Sequence, residues 1–226
     1  MVLSLGAHNK ITGEYIHPKI ATKKDKYICC ECEEDLILAK GEIRAHHFRH
    51  KADTNCSYYN NPSEGQIHKD AKMLMQKLLE SNDLPSITRM CPYCKKNEIF
   101  EIPKVSETSS IELEYRFEYN RRNKYADVGY IDDGNIKFIF EIYHTSKPLS
   151  ENRPEPWFEI DAINLIELVN DNPLPALQIS CIRKEKCENC IEKEQREQKQ
   201  REQKQREQKQ REQERLKREK LKQEKL

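Results

Sequence analysis

Three groups of residues in this chain have types and spacings that metal binding or catalysis requires. Cys29-Cys30-Glu31-Cys32 contains a Cys-x2-Cys step, Cys29 and Cys32, and His46, His47, His50 and Cys56 follow it closely. Thiols and imidazoles in two short knuckles suit a tetrahedral zinc, because each pair reaches one ion without straining the chain. The expected set is Cys29, Cys32, His50 and Cys56, with His47 as the substitute for Cys56. The set is complete and has no evident general base beside it, so its expected role is structural. Cys91-Pro92-Tyr93-Cys94 and Cys187-Glu188-Asn189-Cys190 are two further Cys-x2-Cys steps. A zinc shared by Cys91, Cys94, Cys187 and Cys190 would clasp the two ends of the region between them; separate thiols or a redox pair are the other reading. Cys181 sits in an apolar run and reads as a core thiol.

The third group is made of carboxylates. Residues 125–131, the turn signal Asp132-Asp133-Gly134-Asn135 and residues 136–143 read as a β-hairpin. A two-residue Asp133-Gly134 turn would pair Asp127 with Phe140 and mix the apolar faces. A three-residue loop over Asp133 to Asn135 instead pairs Asp127 with Glu141 and gathers Val128, Tyr130, Ile136, Phe138, Phe140 and Ile142 on one side. Register follows the buried face, so the three-residue loop is expected. Asp127 and Glu141 then stand opposite each other beside Gly129, which leaves open space. Facing carboxylates repel unless a hard cation such as Mg²⁺ or Mn²⁺ neutralises them. Upstream, Glu64, His68 and Lys72 fall at i, i+4 and i+8, one face of a helix. On the pattern alone two readings stand: a cation site supplied by helix and hairpin, or solvent-facing carboxylates with a solvated helix stripe.

These residues must be positioned by a folded body, and composition shows where that body is. The chain has 226 residues, 36% hydrophobic and 35% charged, a balance that would suit disorder if it were spread evenly. Residues 191–226 hold 14 of the 40 Lys+Arg, 9 of the 39 Asp+Glu and only four apolar residues, Ile191, Leu216, Leu221 and Leu226. The rest is about 41% apolar, enough for one ordinary core. The net charge of +1 excludes a strongly basic field over the whole chain, so any nucleic-acid contact must come from local patches or the tail. No apolar run approaches the ~20 residues of a membrane span. The opening seven residues have neither the basic start nor the apolar stretch of a signal peptide, so an intracellular, reducing compartment is expected, in which nine cysteines serve as ligands and buried thiols.

The periodicity of Ile67, Ala71, Met73, Leu74, Leu78 and Leu79, after Pro62 and Ser63, predicts a helix over 64–79 that ends near Asn82-Asp83 and Pro85. A strand-rich stretch follows to about Arg183. The tail repeats Arg-Glu-Gln-Lys-Gln, with Glu197, Glu202 and Glu207 each four residues before an arginine, and predicts a lone solvated helix. Without an apolar stripe before Leu216 it has no coiled-coil seam. It reads as a charged spacer or as an arm for a nucleic acid or a protein partner. The expected organisation is a zinc-binding module over 1–60, an α/β core with the second cysteine set over 61–190, and the low-complexity helix over 191–226.

The segment from Tyr27 to His50, with its Cys-x2-Cys and His47-Phe48-Arg49-His50, followed by Cys56, resembles the N-terminal zinc region of the competence protein CoiA-like family. Glu64-Gly65-Gln66-Ile67-His68 with Lys72, then Ala126-Asp127-Val128 and Glu141-Ile142, resemble that family's restriction-endonuclease-like core. The resemblance covers roughly residues 5–190 and leaves the tail outside. It implies a PD-(D/E)xK nuclease fold, a mixed sheet flanked by helices with zinc knuckles as appendages. It also implies cleavage of DNA phosphodiesters with Mg²⁺ or Mn²⁺, in recombination or DNA uptake. Asp127 and Glu141 would hold the metal and Glu64 would complete its shell. Tyr143 stands two residues after Glu141, where that pattern has lysine; Lys72 with His68 is the first candidate substitute and Lys147 the second. If neither serves, the expected function is a non-catalytic, zinc-stabilised nucleic-acid- or protein-binding module. Trp157-Phe158-Glu159-Ile160 also resembles the family and reads as packing.

Overall fold

The computed structural model describes residues 3–41, 45–81, 83–145, 153–172 and 177–223. Asn82 and Lys147 therefore lie outside the described residues. The architecture is mixed α/β, with strands in three sheets and three helices, and two compact units, 1–90 with 97–184, and 91–96 with 185–226. No helix among the described residues is long and apolar enough to cross a membrane.

The first unit opens with a five-stranded antiparallel sheet where the sequence showed only ligand-rich knuckles. Its strands are β1 (Ala7–Asn9), β2 (Tyr15–Ile16), β3 (Tyr27–Ile28), β4 (Asp35–Ala39) and β5 (His47–His50), in the order β2-β1-β3-β4-β5. Helix α1 (Glu64–Glu80) follows. Ser63 caps it, its hydroxyl accepting the Gln66 N–H while the Gln66 side chain takes the Ser63 N–H, and Ser81 ends it in extended conformation. Its buried stripe of Ile67, Ala71, Leu74, Met75 and Leu78 enters a core that runs from Leu5 to Cys181. One charged residue lies in that stripe. Asp70 is fully buried and accepts hydrogen bonds from the Gly6 N–H at 2.9 Å and the Tyr15 and Tyr58 hydroxyls at 3.0 Å each. Burial pushes its carboxyl up to about 6, against those three donors, which hold it down. This node ties α1 to the N-terminal sheet.

Strands β6 (Ser86–Met90) and β7 (Asn97–Glu101) pair antiparallel, and β12 (Gln178–Ser180) joins β6 in parallel. The third sheet has the order β11-β10-β9-β8, from β8 (Ser109–Tyr119), β9 (Arg122–Asp132), β10 (Asn135–Tyr143) and β11 (Trp157–Asp161). It is mixed, because β10 and β11 run parallel. Asp161 caps α2 (Ala162–Asp171), a helix within the stretch read from sequence as strands; Ala162, Leu165, Ile166 and Val169 bury its apolar face. Lys19 closes the far end of α2 by donating to the carbonyls of Val169 and Asn170 at 2.7 and 3.0 Å, and to that of Asn172.

The β9–β10 hairpin corrects the expected loop. Its turn has two residues, Asp133 (φ 47°) and Gly134 (φ 71°), with Asn135 opposite Asp132. The Asp-Gly pair accepts the left-handed backbone of a tight hairpin turn. A register shift between Ile136 and Phe138 then moves the ladder by one, so that Phe138 faces Tyr130 and Phe140 faces Val128. The bulge restores the register that the three-residue loop was meant to supply, with Glu141 and Asp127 next along the two strands. It also sends Ile136 to the opposite face, where it packs with Ile139, Ala126, Phe117 and Trp157. Gly129 does not border open space: a Cβ there would lie 3.2 Å from Ile131 and from Ile136.

In the second unit, α3 (Glu188–Gln223) is the expected exposed helix. Over its 36 residues it reaches roughly 54 Å at about 1.5 Å per residue. Glu197 pairs with Arg201 at 3.7 Å and Glu192 with Arg196 at 2.9 Å. Glu202 and Glu207 instead accept from Gln198 and Gln203, one turn before them.

Candidate active site and metal centres

The first metal-ligand set is assembled by the N-terminal sheet. Cys29 directly follows β3, Cys32 lies in the turn to β4, His50 ends β5 and Cys56 follows in the next loop. Glu33 at φ 60° and the Glu33 N–H to Cys29 carbonyl bond tighten that turn. The Cys29 and Cys56 sulfurs are 3.8 Å apart, Cys32 Sγ is 3.3 Å from His50 Nε2, and all four ligand atoms lie within 4.8 Å of one another. Two sulfurs at about 2.3 Å from a tetrahedral zinc are about 3.8 Å apart, so the spacing fits that ion and is far too long for a disulfide. Burial pushes the Cys29 thiol up to about 12, with the facing Cys56 adding to it. Neutralising such thiolates is the task of a cation. His47 is not in this set; its Nδ1 lies 2.9 Å from the Ala45 carbonyl.

The second set, Cys91, Cys94, Cys187 and Cys190, also lies within 4.8 Å, with Cys94 and Cys187 sulfurs 3.7 Å apart. It belongs wholly to the second unit. The two knuckles join the 91–96 turn to the start of α3. Cys91 Sγ accepts the Cys187 N–H at 3.4 Å, which leads the causes that draw its thiol down to about 6. Cys181 is buried in the main core and outside both sets.

The carboxylates lie where α1 crosses β9 and β10. Glu64, Gly65, His68, Asp127, Glu141 and His144 line one cavity of about 420 Å³. Asp127 Oδ2 accepts the Ile142 N–H at 2.9 Å and lies 3.3 Å from His68 Nε2, which is also 3.0 Å from the Ile142 carbonyl. Both partners of that nitrogen are acceptors, so Nε2 carries the hydrogen and His68 orients Asp127. Lys72 Nζ is 3.8 Å from Asp127 Oδ1 and pairs with Glu114. Burial works against the Asp127 charge, but His68, the Ile142 N–H and Lys72 together hold its carboxyl below the usual range. Glu141 differs. Burial pushes it up to about 8 despite Arg153, whose guanidinium donates to Oε2 at 2.9 Å, and the Asp127 charge adds to the rise. Its Oε1 is buried and has no hydrogen-bond partner among the described residues.

Residues 14–59 match the family model of the competence protein CoiA, N-terminal domain. That stretch holds β2 to β5 and every residue of the first metal-ligand set. No curated protein and no solved structure matches the chain. The CoiA-like segment thus ends just before α1, and the carboxylate cavity lies in the part of the chain that follows it.

Four of the five residues expected to act in the site line this cavity, and the fifth, Lys72, lies beside it. His68, Asp127 and Glu141 line the cavity with Glu64, which is exposed at the first turn of α1, while Lys72 approaches from one turn further along. Among the described residues the carboxylates do not form a set as tight as the two cysteine sets. Two participants were missed. Arg153 reaches Glu141 from just before β11, which runs beside β10, and no local pattern announces it. Glu114, at φ 50° on β8, holds Lys72. An isolated acidic residue in an alternating strand carries no signal of that role.

Proposed function

We propose that the α1–β9–β10 cavity hydrolyses DNA phosphodiester bonds with a divalent cation, on a PD-(D/E)xK-type nuclease core scaffolded by structural zinc. The observation that carries the reading is Glu141: a buried carboxylate with one oxygen on Arg153 and the other without a partner among the described residues, beside Asp127 in a solvent-reached cavity. A buried, half-satisfied carboxylate next to a second one is a poor structural element and a good place for Mg²⁺ or Mn²⁺. Asp127 and Glu141 would hold that ion, with Glu64 at the cavity edge. When bound, such an ion lowers the pKa of a water and offsets charge on the phosphate.

The chain's own groups divide the remaining tasks. His68, bearing hydrogen on Nε2, fixes Asp127 in place. Lys72, near Asp127, supplies the ammonium that Tyr143 cannot, and Glu114 keeps it aimed. DNA is the expected substrate and the CoiA-like N-terminal domain the zinc-stabilised scaffold. Calorimetric titration of zinc-loaded protein with Mn²⁺ tests the cation site. One Mn²⁺ should bind wild type, and Asp127→Asn and Glu141→Gln should each weaken binding at least tenfold. Equal affinity in all three would remove the enzymatic reading and leave a binding module.

A further inference from the structure

The strand that carries Asp127 continues past the cavity into a second feature. From Val128 back toward its start, β9 loses β10 as a neighbour and pairs with β8 alone, Arg116 opposite Tyr125, Phe117 opposite Lys124, Glu118 opposite Asn123 and Tyr119 opposite Arg122. Asn120 (φ 51°) and Arg121 (φ 60°) close it with a two-residue turn. Residues 116–125 are therefore a two-stranded ribbon leaving the end of the sheet.

Its charge sets it apart. The ribbon holds Arg116, Arg121, Arg122 and Lys124 against one acid, Glu118. Of the chain's 40 basic and 39 acidic residues, 17 and 11 fall in the second unit, which leaves 23 and 28, a net −5, in the unit to which the ribbon belongs. A basic projection on an acidic body needs a reason. Internal pairing does not supply one, since none of the four cations forms an ion pair among the described residues. Three of them are exposed, as is Tyr125 at 54%.

The ribbon is also stiffly seated. Phe117 packs with Ala126, Ile139 and Trp157, with Tyr115 and Tyr119 against them. Arg153 lies 5.9 Å from the Phe117 ring centre and donates to the Tyr125 carbonyl at 2.8 Å while holding Glu141. One side chain thus links the base of the ribbon to the cavity, and Tyr125 lies two residues from Asp127.

We propose that the β8–β9 ribbon is the DNA-docking element of this protein, with Arg116, Arg121, Arg122 and Lys124 contacting duplex phosphates and delivering the backbone to the adjacent cavity. The inference rests on the reading of that cavity for its choice of polyanion. A two-stranded ribbon is of the size that the major groove admits, and arginine and lysine on it meet phosphates on the groove walls.

The test is fluorescence anisotropy of a labelled 24-base-pair duplex with the full, zinc-loaded chain and no added divalent cation, so that binding is read without cutting. The variants are Arg121→Gln/Arg122→Gln/Lys124→Gln, the charge-keeping Arg121→Lys/Arg122→Lys, and Arg201→Gln/Arg206→Gln/Arg211→Gln in α3. Loss of three phosphate contacts should lower the slope of log K against log salt by about 3 and weaken binding near 0.1 M salt by roughly 10² or more. The lysine variant should retain most of the affinity and the α3 variant all of it. Circular dichroism and zinc content verify folding, which these solvent-facing changes should leave intact. Wild-type affinity and slope in the ribbon variant, absence of duplex binding by wild type, or loss confined to the α3 variant would each overturn the proposal. A wild type that binds through the ribbon yet never cuts would uphold the ribbon and refute the hydrolytic reading instead.

Discussion

Asp70 offers a stability prediction that can be worked from its surroundings. Its carboxylate satisfies three buried donors at 2.9 to 3.0 Å, from Gly6, Tyr15 and Tyr58, and so joins α1 to the N-terminal sheet. Asp70→Ala removes the acceptor those three groups share and leaves a polar hole. Unsatisfied buried donors cost about 1–3 kcal/mol each, and partial re-pairing of the two mobile hydroxyls brings the expected loss to about 3–5 kcal/mol. For a unit of this size that lowers Tm by about 10 °C. The pH dependence has a definite sign. The folded carboxyl titrates near 6 against an ordinary value of 3.8, so the folded state holds a proton that the unfolded state has released. Stability from Asp70 is therefore fully present below pH 4 and lost as pH rises through 6, by about 3 kcal/mol at ~1.4 kcal/mol per pH unit. Asp70→Asn cannot titrate, so between pH 4.5 and 7 the wild type should lose about 2 kcal/mol of that amount relative to it. Urea melts of zinc-loaded wild type and both variants at pH 4.5, 5.5 and 7 measure this. An Asp70→Ala loss below 1 kcal/mol, or a wild-type pH slope equal to that of Asp70→Asn, would refute the reasoning.

Metal analysis of purified protein should give two zinc ions per chain. Cys29→Ser should reduce this to one and cost several kcal/mol of stability, because binding free energy at such a site is folding free energy; Cys190→Ser should also remove one ion but act on the second unit. Gly129→Ala should cost about 1–2 kcal/mol in thermal melts, since its new methyl group meets Ile131 and Ile136 at 3.2 Å. Lys72→Met should lower cleavage by about 10²-fold while leaving Mn²⁺ affinity within a few-fold, a split that calorimetry and single-turnover cleavage read separately.

The sequence disclosed what is local and missed what depends on the fold. Four ligands of the first set were legible because Cys29-x2-Cys32 is a knuckle in itself, and the CoiA-like match independently covers them. Helix α1 was legible from its apolar period and Ser63; its observed span differs from the expected one by a residue. Helix α2 carried the same kinds of signal, Asp161 as cap and Leu165, Ile166 and Val169 at helical spacing, but they were read as part of a strand-rich run. The register that directs Asp127 toward Glu141 was inferred from the buried face, and the ladder keeps that register as far as Phe140 opposite Val128. The loop was wrong, because a β-bulge can shift register within a strand and leaves no mark in the alternation except a misplaced Ile136. Arg153 could not be found from sequence: its link to Glu141 exists only once β11 has returned beside β10. The basic ribbon was on view as Arg116, Arg121, Arg122 and Lys124, yet its meaning depends on its continuity with Asp127.

The most direct measurement is cleavage of single- and double-stranded DNA by the full, zinc-loaded chain with Mg²⁺ or Mn²⁺, comparing wild type with Asp127→Asn and Glu141→Gln. The cavity geometry predicts cation-dependent cutting by wild type and its loss, by at least 10³-fold, in both variants. No cutting by a folded, zinc-loaded wild type, or undiminished cutting by either variant, would contradict the assignment of hydrolysis to this cavity.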